Sequence, residues 1–202
     1  ETLCLIHTDG RIEAFQLSDF DSLAKYRKGF LASDFTVSIK GNPRLFKWVQ
    51  SEDAKRLTQD LNYEISQAVC NEVRRQTALF SDLVLKHYPR ESRELQLSQI
   101  VENLVKHERN MARSLSETLS VDERNKMLAV LEFHPFDIGF ARDQHEYYQL
   151  DKRSDFFESV EANPLTLDQR LAVLRNDDRN MVLAAAGTGK TSVIVAKVLD
   201  LI

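Results

Sequence analysis

The chain has 202 residues, 43% of them hydrophobic and 29% charged, with a formal net charge of −4. That composition supports at least one buried core and room for more than one unit, and its acidic balance excludes a generally basic nucleic-acid coat. No stretch approaches the ~20 apolar residues of a membrane span, and the opening ETLCLIHTDG lacks the pattern of a signal peptide. The expectation is therefore a cytoplasmic protein without a membrane partner. Cys4 and Cys70 lie far apart with no ligand-like neighbours, which fits ordinary thiols in a reducing compartment. Glu1 rather than methionine at the front leads us to expect sequence before it.

Residues 1 to about 50 are short and strand-like: LCLIH, the turn signal Asp9-Gly10, RIEAFQL, FTVSIK, the turn signal Gly41-Asn42-Pro43, and RLFKWV. Asp-Gly between apolar runs favours a hairpin, because a type I′ turn needs positive φ at both central positions. A small antiparallel sheet is expected. After Val49 the period changes. Ala54, Leu57, Leu61, Ile65, Ala68 and Val69 recur at helical spacing, which predicts one helix from Ser51 towards His87, ended by Pro89. A second helix is expected from about Glu91 to Leu119, with Leu95, Ile100, Leu104, Met111 and Leu115 on one face. A third runs from about Val121 to Glu132 and stops before His134-Pro135.

Residues 134–153, HPFDIGFARDQHEYYQLDKR, show no clear period and are expected to form a connector. Beyond them we expect helices over Ser154–Glu161 and Thr166–Leu174, a strand over Asn180–Ala185, a loop, and a last helix from Gly189 or Lys190. The expected segments are 1–88, a sheet with a long helix; 89–153, helical with the connector; and 154–202, a separate α/β beginning.

The chemistry concentrates in AAAGTGKT, Ala184 to Thr191, which has the length and ending of a Walker A phosphate loop. Gly187 and Gly189 let the backbone turn its N–H groups towards phosphate, and the following helix adds its own N-terminal donors and positive dipole end. Lys190 suits the β and γ phosphates of a nucleotide, and the Thr191 hydroxyl suits a bridging Mg²⁺ ion. Gly-Lys-Ser/Thr alone is common; the apolar run MVLAA before it and the apolar helix TSVIVAKVLDLI after it supply the strand–loop–helix setting the motif requires. The second feature is NPLTLDQRLAV, Asn163 to Val173. Thr166 and Gln169 have the spacing of a capping box. The Gln169 carboxamide, about twenty residues before Lys190, is also placed to meet both a donor and an acceptor on an adenine edge.

Taken together, PLTLDQRLAVLRNDDRNMVLAAAGTGKTSVIVAKV resembles the start of the first RecA-like domain of superfamily 1 DNA helicases, the UvrD/Rep group. There the adenine-reading motif runs Leu-x-x-x-Gln-x-x-Ala-Val, and the phosphate loop usually reads Ala-Gly-Ala-Gly-Ser/Thr-Gly-Lys-Thr. The approach SDFFESVEANPLTLDQ is similar to one branch of that group, in which a Phe-Phe pair precedes Pro-Leu. The resemblance implies that Gln169 contacts adenine, that Ala184, Ala185, Ala186, Gly187, Thr188, Gly189 and Lys190 wrap the phosphates of ATP, and that Thr191 ligates Mg²⁺, with Lys190 and Thr191 the catalytic pair. Two departures stand out: Ala185 where the group commonly has Gly, and Ser192 where some members carry an Arg beside the base.

The likeness covers about the last fifty residues strongly and the rest weakly. RLFKWVQSEDAKRLTQDL, a Trp-bearing strand running into a helix, resembles the group's accessory N-terminal region, with a pleckstrin-homology-like half barrel capped by a helix as the implied fold. The whole reading is an α+β N-terminal region leading into an incomplete α/β RecA-like P-loop domain. It implies an ATP-dependent helicase moving 3′ to 5′ on single-stranded DNA or at duplex junctions.

The second RecA-like domain, the Asp-Glu pair and the arginine finger that hydrolysis in this group needs are not in this sequence. The chain alone is therefore expected not to hydrolyse ATP, and more sequence is expected after Ile202. Alternatives are another P-loop NTPase, for which Gln169 is only a cap, and an N-terminal module that recruits a protein or DNA partner. The five histidines are expected to be surface or capping residues rather than metal ligands. The basic clusters YRKGF and VRRQ, and the aromatics Trp48, Tyr147 and Tyr148, are expected to be solvated faces or core, although each could serve nucleic acid.

Overall fold

A computed structural model describes residues 2–6, 10–30, 32–185 and 187–200. Five strands come first: β1 (Thr2–Ile6), β2 (Ile12–Gln16), β3 (Lys25–Arg27), β4 (Ser33–Ile39) and β5 (Asn42–Val49). Seven α-helices follow: α1 (Ser51–Ser81), α2 (Glu94–Thr118), α3 (Val121–Leu131), α4 (Ile138–Lys152), α5 (Ser154–Ser159), α6 (Leu167–Leu174) and α7 (Lys190–Asp200). The chain divides into two compact units, one of residues 1–77 and 102–132, the other of 78–101 and 133–202.

In the first unit the expected antiparallel sheet is present as two sheets. β1 and β2 form a hairpin, with Ile6 opposite Ile12. The turn expected there involves Asp9, which lies outside the described residues; Gly10 has φ of +84°. The second sheet has the order β3-β4-β5. Its β4–β5 turn is Lys40-Gly41, with φ of 51° and 78°, one step earlier than the expected Gly41-Asn42-Pro43. Two positive φ values suit the right-handed strand twist.

Along β4, Ser33, Phe35, Val37 and Ile39 are buried and the residues between them half-exposed, the period of a sheet covered on one face. Ala54, Leu61, Ile65, Ala68 and Val69 of α1 are buried as their helical spacing predicts, and Val73 continues that face, whereas Leu57 is exposed. Asn62 clips α1 to the strand connection, its amide accepting from Ala24 N at 2.6 Å and donating to Ala24 O at 3.0 Å. Cys70 is buried and Cys4 exposed.

α3 is opened by a capping box between Ser120 and Glu123. Arg74 of α1 donates to Glu123 at 2.7 Å, so one carboxylate both caps α3 and pairs with α1. These hydrogen bonds, Arg74 first and then Ser120, hold the Glu123 carboxyl down at about 2.

In the second unit, α1 ends in a π-helical turn, Asp82–Lys86. The terminal carbonyls of a helix need partners. Here α4 supplies them: Gln149 Nε2 donates to Leu85 O, and His145 Nδ1 lies 2.7 Å from Val84 O. Burial pushes the His145 imidazole pKa down, so the ring is neutral and its Nδ1–H donates. α4 occupies most of the stretch expected to be a connector, which corrects that expectation. Its buried face carries Ala141, His145, Glu146 and Gln149, so no apolar stripe marks it.

His107 departs from expectation, since it is buried, while His145, also buried, serves as the cap just described. Residues 180–185 form no strand, although their apolar run suggests one. A strand needs a ladder partner, and among the described residues none pairs with this stretch. Among the described residues no helix is long and apolar enough to cross a membrane.

Candidate functional site

The approach to the site is a small apolar cluster. Phe157, Leu165, Val173, Leu174, Val193 and Ala196 are buried together, with Leu150, Phe156, Val160 and Ala172 packed against them. Phe157 is the anchor: its carbonyl accepts from Leu165 N at 3.1 Å, and the Arg170 guanidinium lies 5.7 Å from its ring centre. The Phe-Phe pair and the Pro-Leu step are thus joined physically, because one carries the strut on which the other turns into α6.

At the start of α6 the capping box forms as its spacing predicts. The Thr166 hydroxyl accepts from Gln169 N at 3.4 Å, and Gln169 Oε1 accepts from Thr166 N at 2.8 Å. The other end of the same amide reaches further: Gln169 Nε2 donates to the carbonyl of Thr188 at 3.1 Å. Two features separated by nineteen residues in the chain are therefore in contact.

The loop from Ala184 to Thr191 is stabilised by its own side chains. Thr188 Oγ1 donates to Ala185 O at 2.8 Å, and Lys190 Nζ donates to Ala184 O at 2.8 Å and Ala185 O at 3.0 Å. Gly187 and Gly189 each have φ of +78°. At Gly189 glycine is required by that backbone angle, and a Cβ there would also push the Gln169 amide aside. α7 begins at Lys190, its first turn closed by Val193 N donating to Gly189 O at 3.1 Å. Lys190 and Thr191 are both exposed on that turn, where the first N–H groups of a helix have no intrahelical acceptor. Ala186 lies outside the described residues.

The structure thus brings Gln169, Thr188, Gly189 and Lys190 together and keeps the loop open to solvent. These residues fit a phosphate group: two positive-φ glycines, a helix N-terminus, an exposed ammonium and a hydroxyl lie along one loop. Among the described residues no group of His, Cys, Asp and Glu is arranged to hold a metal ion.

Sequence reading missed Lys197. Seven residues after Lys190 on α7, its ammonium donates to Ala172 O, Val173 O and Arg175 O at 3.4, 3.0 and 2.6 Å, the end of α6. Burial pushes its pKa down. A lone cation in the apolar run VIVAKVLDLI was the available signal. Arg153 pairs with Asp200 farther along the same helix.

The turn after α6 is equally tied. Asp177 accepts from Glu91 N at 2.9 Å and from Arg142, and Asp178 accepts from Ser92 N at 2.8 Å. A cavity of about 270 Å³ is lined by Lys86, Tyr88, His145, Arg153 and Lys197 among others, and none of the described residues of 184–191 lines it.

A family model matches the segment that carries the site. Residues 165–202 match the family model of the UvrD/REP helicase N-terminal domain. Over 65 residues the chain is 45% identical to DNA helicase IV of Escherichia coli strain K12, a stretch that is 30% of this chain and 10% of that protein. The matched stretch thus spans about a tenth of the curated relative. No solved structure matches. The likeness to UvrD-type helicases read from the sequence is therefore shown, and it rests on this partial region of the chain.

Proposed function

We propose that the chain is the N-terminal part of an ATP-dependent DNA helicase of the UvrD type, with residues 154–202 opening its RecA-like ATP-binding domain and the preceding residues an accessory region. The observation that carries this reading is the hydrogen bond from Gln169 to Thr188, which sets an amide beside the phosphate-loop candidate. The apolar surface around the loop supports it as well. Met181 and Leu183 are 82% and 84% exposed, and Ile194, Val198 and Leu199 of α7 are exposed too, as expected of a strand and helix made for a parallel sheet.

In this reading Gly187 and Gly189 turn the backbone N–H groups inward, and the first turn of α7 adds its own. Lys190 exchanges the carbonyls of Ala184 and Ala185 for the β and γ phosphates. Thr191 holds Mg²⁺, which, when bound, neutralises charge on the transferred phosphoryl group. Gln169 keeps its cap to Thr166 through main-chain and hydroxyl contacts while its amide meets the adenine edge. In the full-length enzyme, hydrolysis would be coupled to 3′ to 5′ movement on single-stranded DNA.

Lys190→Ala in the full-length protein is expected to lower DNA-stimulated ATP turnover by at least about a hundredfold. Undiminished turnover overturns the assignment. A second reading has its own observation. Both halves of the capping box are formed, so Gln169 could be a cap alone in some other P-loop NTPase; equal use of ATP and GTP would favour it.

A further inference from the structure

The sheet β3-β4-β5 has two faces. Phe35, Val37 and Ile39 define the covered one. The register places Lys25 opposite Thr36, Arg27 opposite Asp34, and Thr36 opposite Leu45 on the other. Lys47 follows Phe46, the partner of Phe35, at the bulge where the β4–β5 register shifts, opposite Asp34 of the outward face. Lys25, Arg27, Leu45 and Lys47 are exposed there, as is Lys28 just beyond the strand. Asp34 is the single acid among these positions, so the face is locally cationic on a chain whose net charge is −4.

Pairing separates these cations from their neighbours. Lys40 pairs with Asp19 at 2.9 Å, Arg44 with Glu13 at 3.0 Å, and Lys106 with Asp21. Lys25, Arg27, Lys28 and Lys47 make no ion pair or side-chain hydrogen bond among the described residues. Like charges two apart on one strand face sit about 7 Å from each other and repel, which costs stability unless something anionic lies across them. An aromatic ring follows them in the chain: Phe30, three residues after Arg27, is 102% exposed.

Unpaired cations on an open sheet face, followed by an exposed ring, are the parts from which single-strand binding platforms are made: the cations track phosphates and the ring takes a base. An acidic peptide would use the cations but leave the ring idle. A duplex would hide the base face the ring needs. We propose that the outward face of this sheet binds single-stranded DNA, with Lys25, Arg27 and Lys47 on the backbone and Phe30 stacking on a base. This adds a DNA contact outside the nucleotide site, and it does not depend on ATP.

The test is fluorescence anisotropy of a labelled oligothymidylate of about 20 nucleotides with the 202-residue chain, at low salt and without nucleotide. The triple variant Lys25→Glu, Arg27→Glu, Lys47→Glu is expected to bind at least tenfold more weakly. Its log K against log salt should be shallower by about two, as loss of three single-strand phosphate contacts requires. Phe30→Ala should weaken binding about tenfold with the salt slope unchanged. The exchange Lys25→Arg, Arg27→Lys, Lys47→Arg should keep the affinity. Circular dichroism confirms that each variant is folded. Wild-type affinity and slope in the charge-reversed variant overturn the proposal, as do absence of binding by the wild-type chain and equal binding of polyglutamate. Tighter binding of oligouridylate than of oligothymidylate also overturns it.

Discussion

Gln169 has both ends of its amide engaged, the oxygen by Thr166 N and the nitrogen by Thr188 O. The two roles separate by substitution. In Gln169→Glu the carboxylate still accepts from Thr166 N, since Glu serves a capping box as well as Gln, but it has no hydrogen to give Thr188 or an adenine. The expected outcome is unchanged helix content with a preference for ATP over GTP reduced by about tenfold in the full-length protein, the worth of one bidentate base contact. Competition binding with the two nucleotides measures it. A preference that survives the substitution would leave Gln169 as a cap. Both spacings were legible in the sequence; the contact between them was not, because it depends on where a backbone carbonyl of the loop points.

Two helix ends with named partners give testable consequences. Lys197 holds the end of α6 by three carbonyls. In Lys197→Met the stem is kept and the donors are lost, so urea denaturation should show a loss of about 1–3 kcal/mol. Glu123 belongs to the acid side of stability. Its folded pKa of about 2 lies below the ordinary 4.5, so its contribution is fully present above that value and is lost as pH falls towards 2. Glu123→Gln keeps the cap to Ser120 but not the charge. Its urea midpoint should therefore fall less between pH 5 and pH 2.5 than that of the parent.

Helices with apolar stripes, such as α1 and α2, were legible to within a few residues at their ends. α4 was not, since its packed face is built from His145, Glu146 and Gln149, whose burial is made tolerable by carbonyls and guanidinium groups that only the fold supplies. The run before the loop misled in the opposite sense. Its apolarity reads as strand, but strand is a property of pairs.

At the scale of the whole molecule, each unit has its own apolar core, one beneath the β3-β4-β5 sheet and the other around Phe157. Chemistry divides between them in the same way: the nucleotide-site candidate belongs to the second unit, and the cationic sheet face to the first. The two cysteines both fall in the first. Cys4 is exposed on β1, while Cys70 is buried on α1 with its thiol pKa pushed up by burial. An aromatic disulfide reagent at neutral pH should consequently release one equivalent promptly from the native chain, and the second only as α1 opens. Replacing Cys4 by Ser should abolish the prompt phase and leave the slow one. Cys70 is thus a built-in stopwatch, whose rate of capture reports how often the first unit opens without any dye or tag having been added.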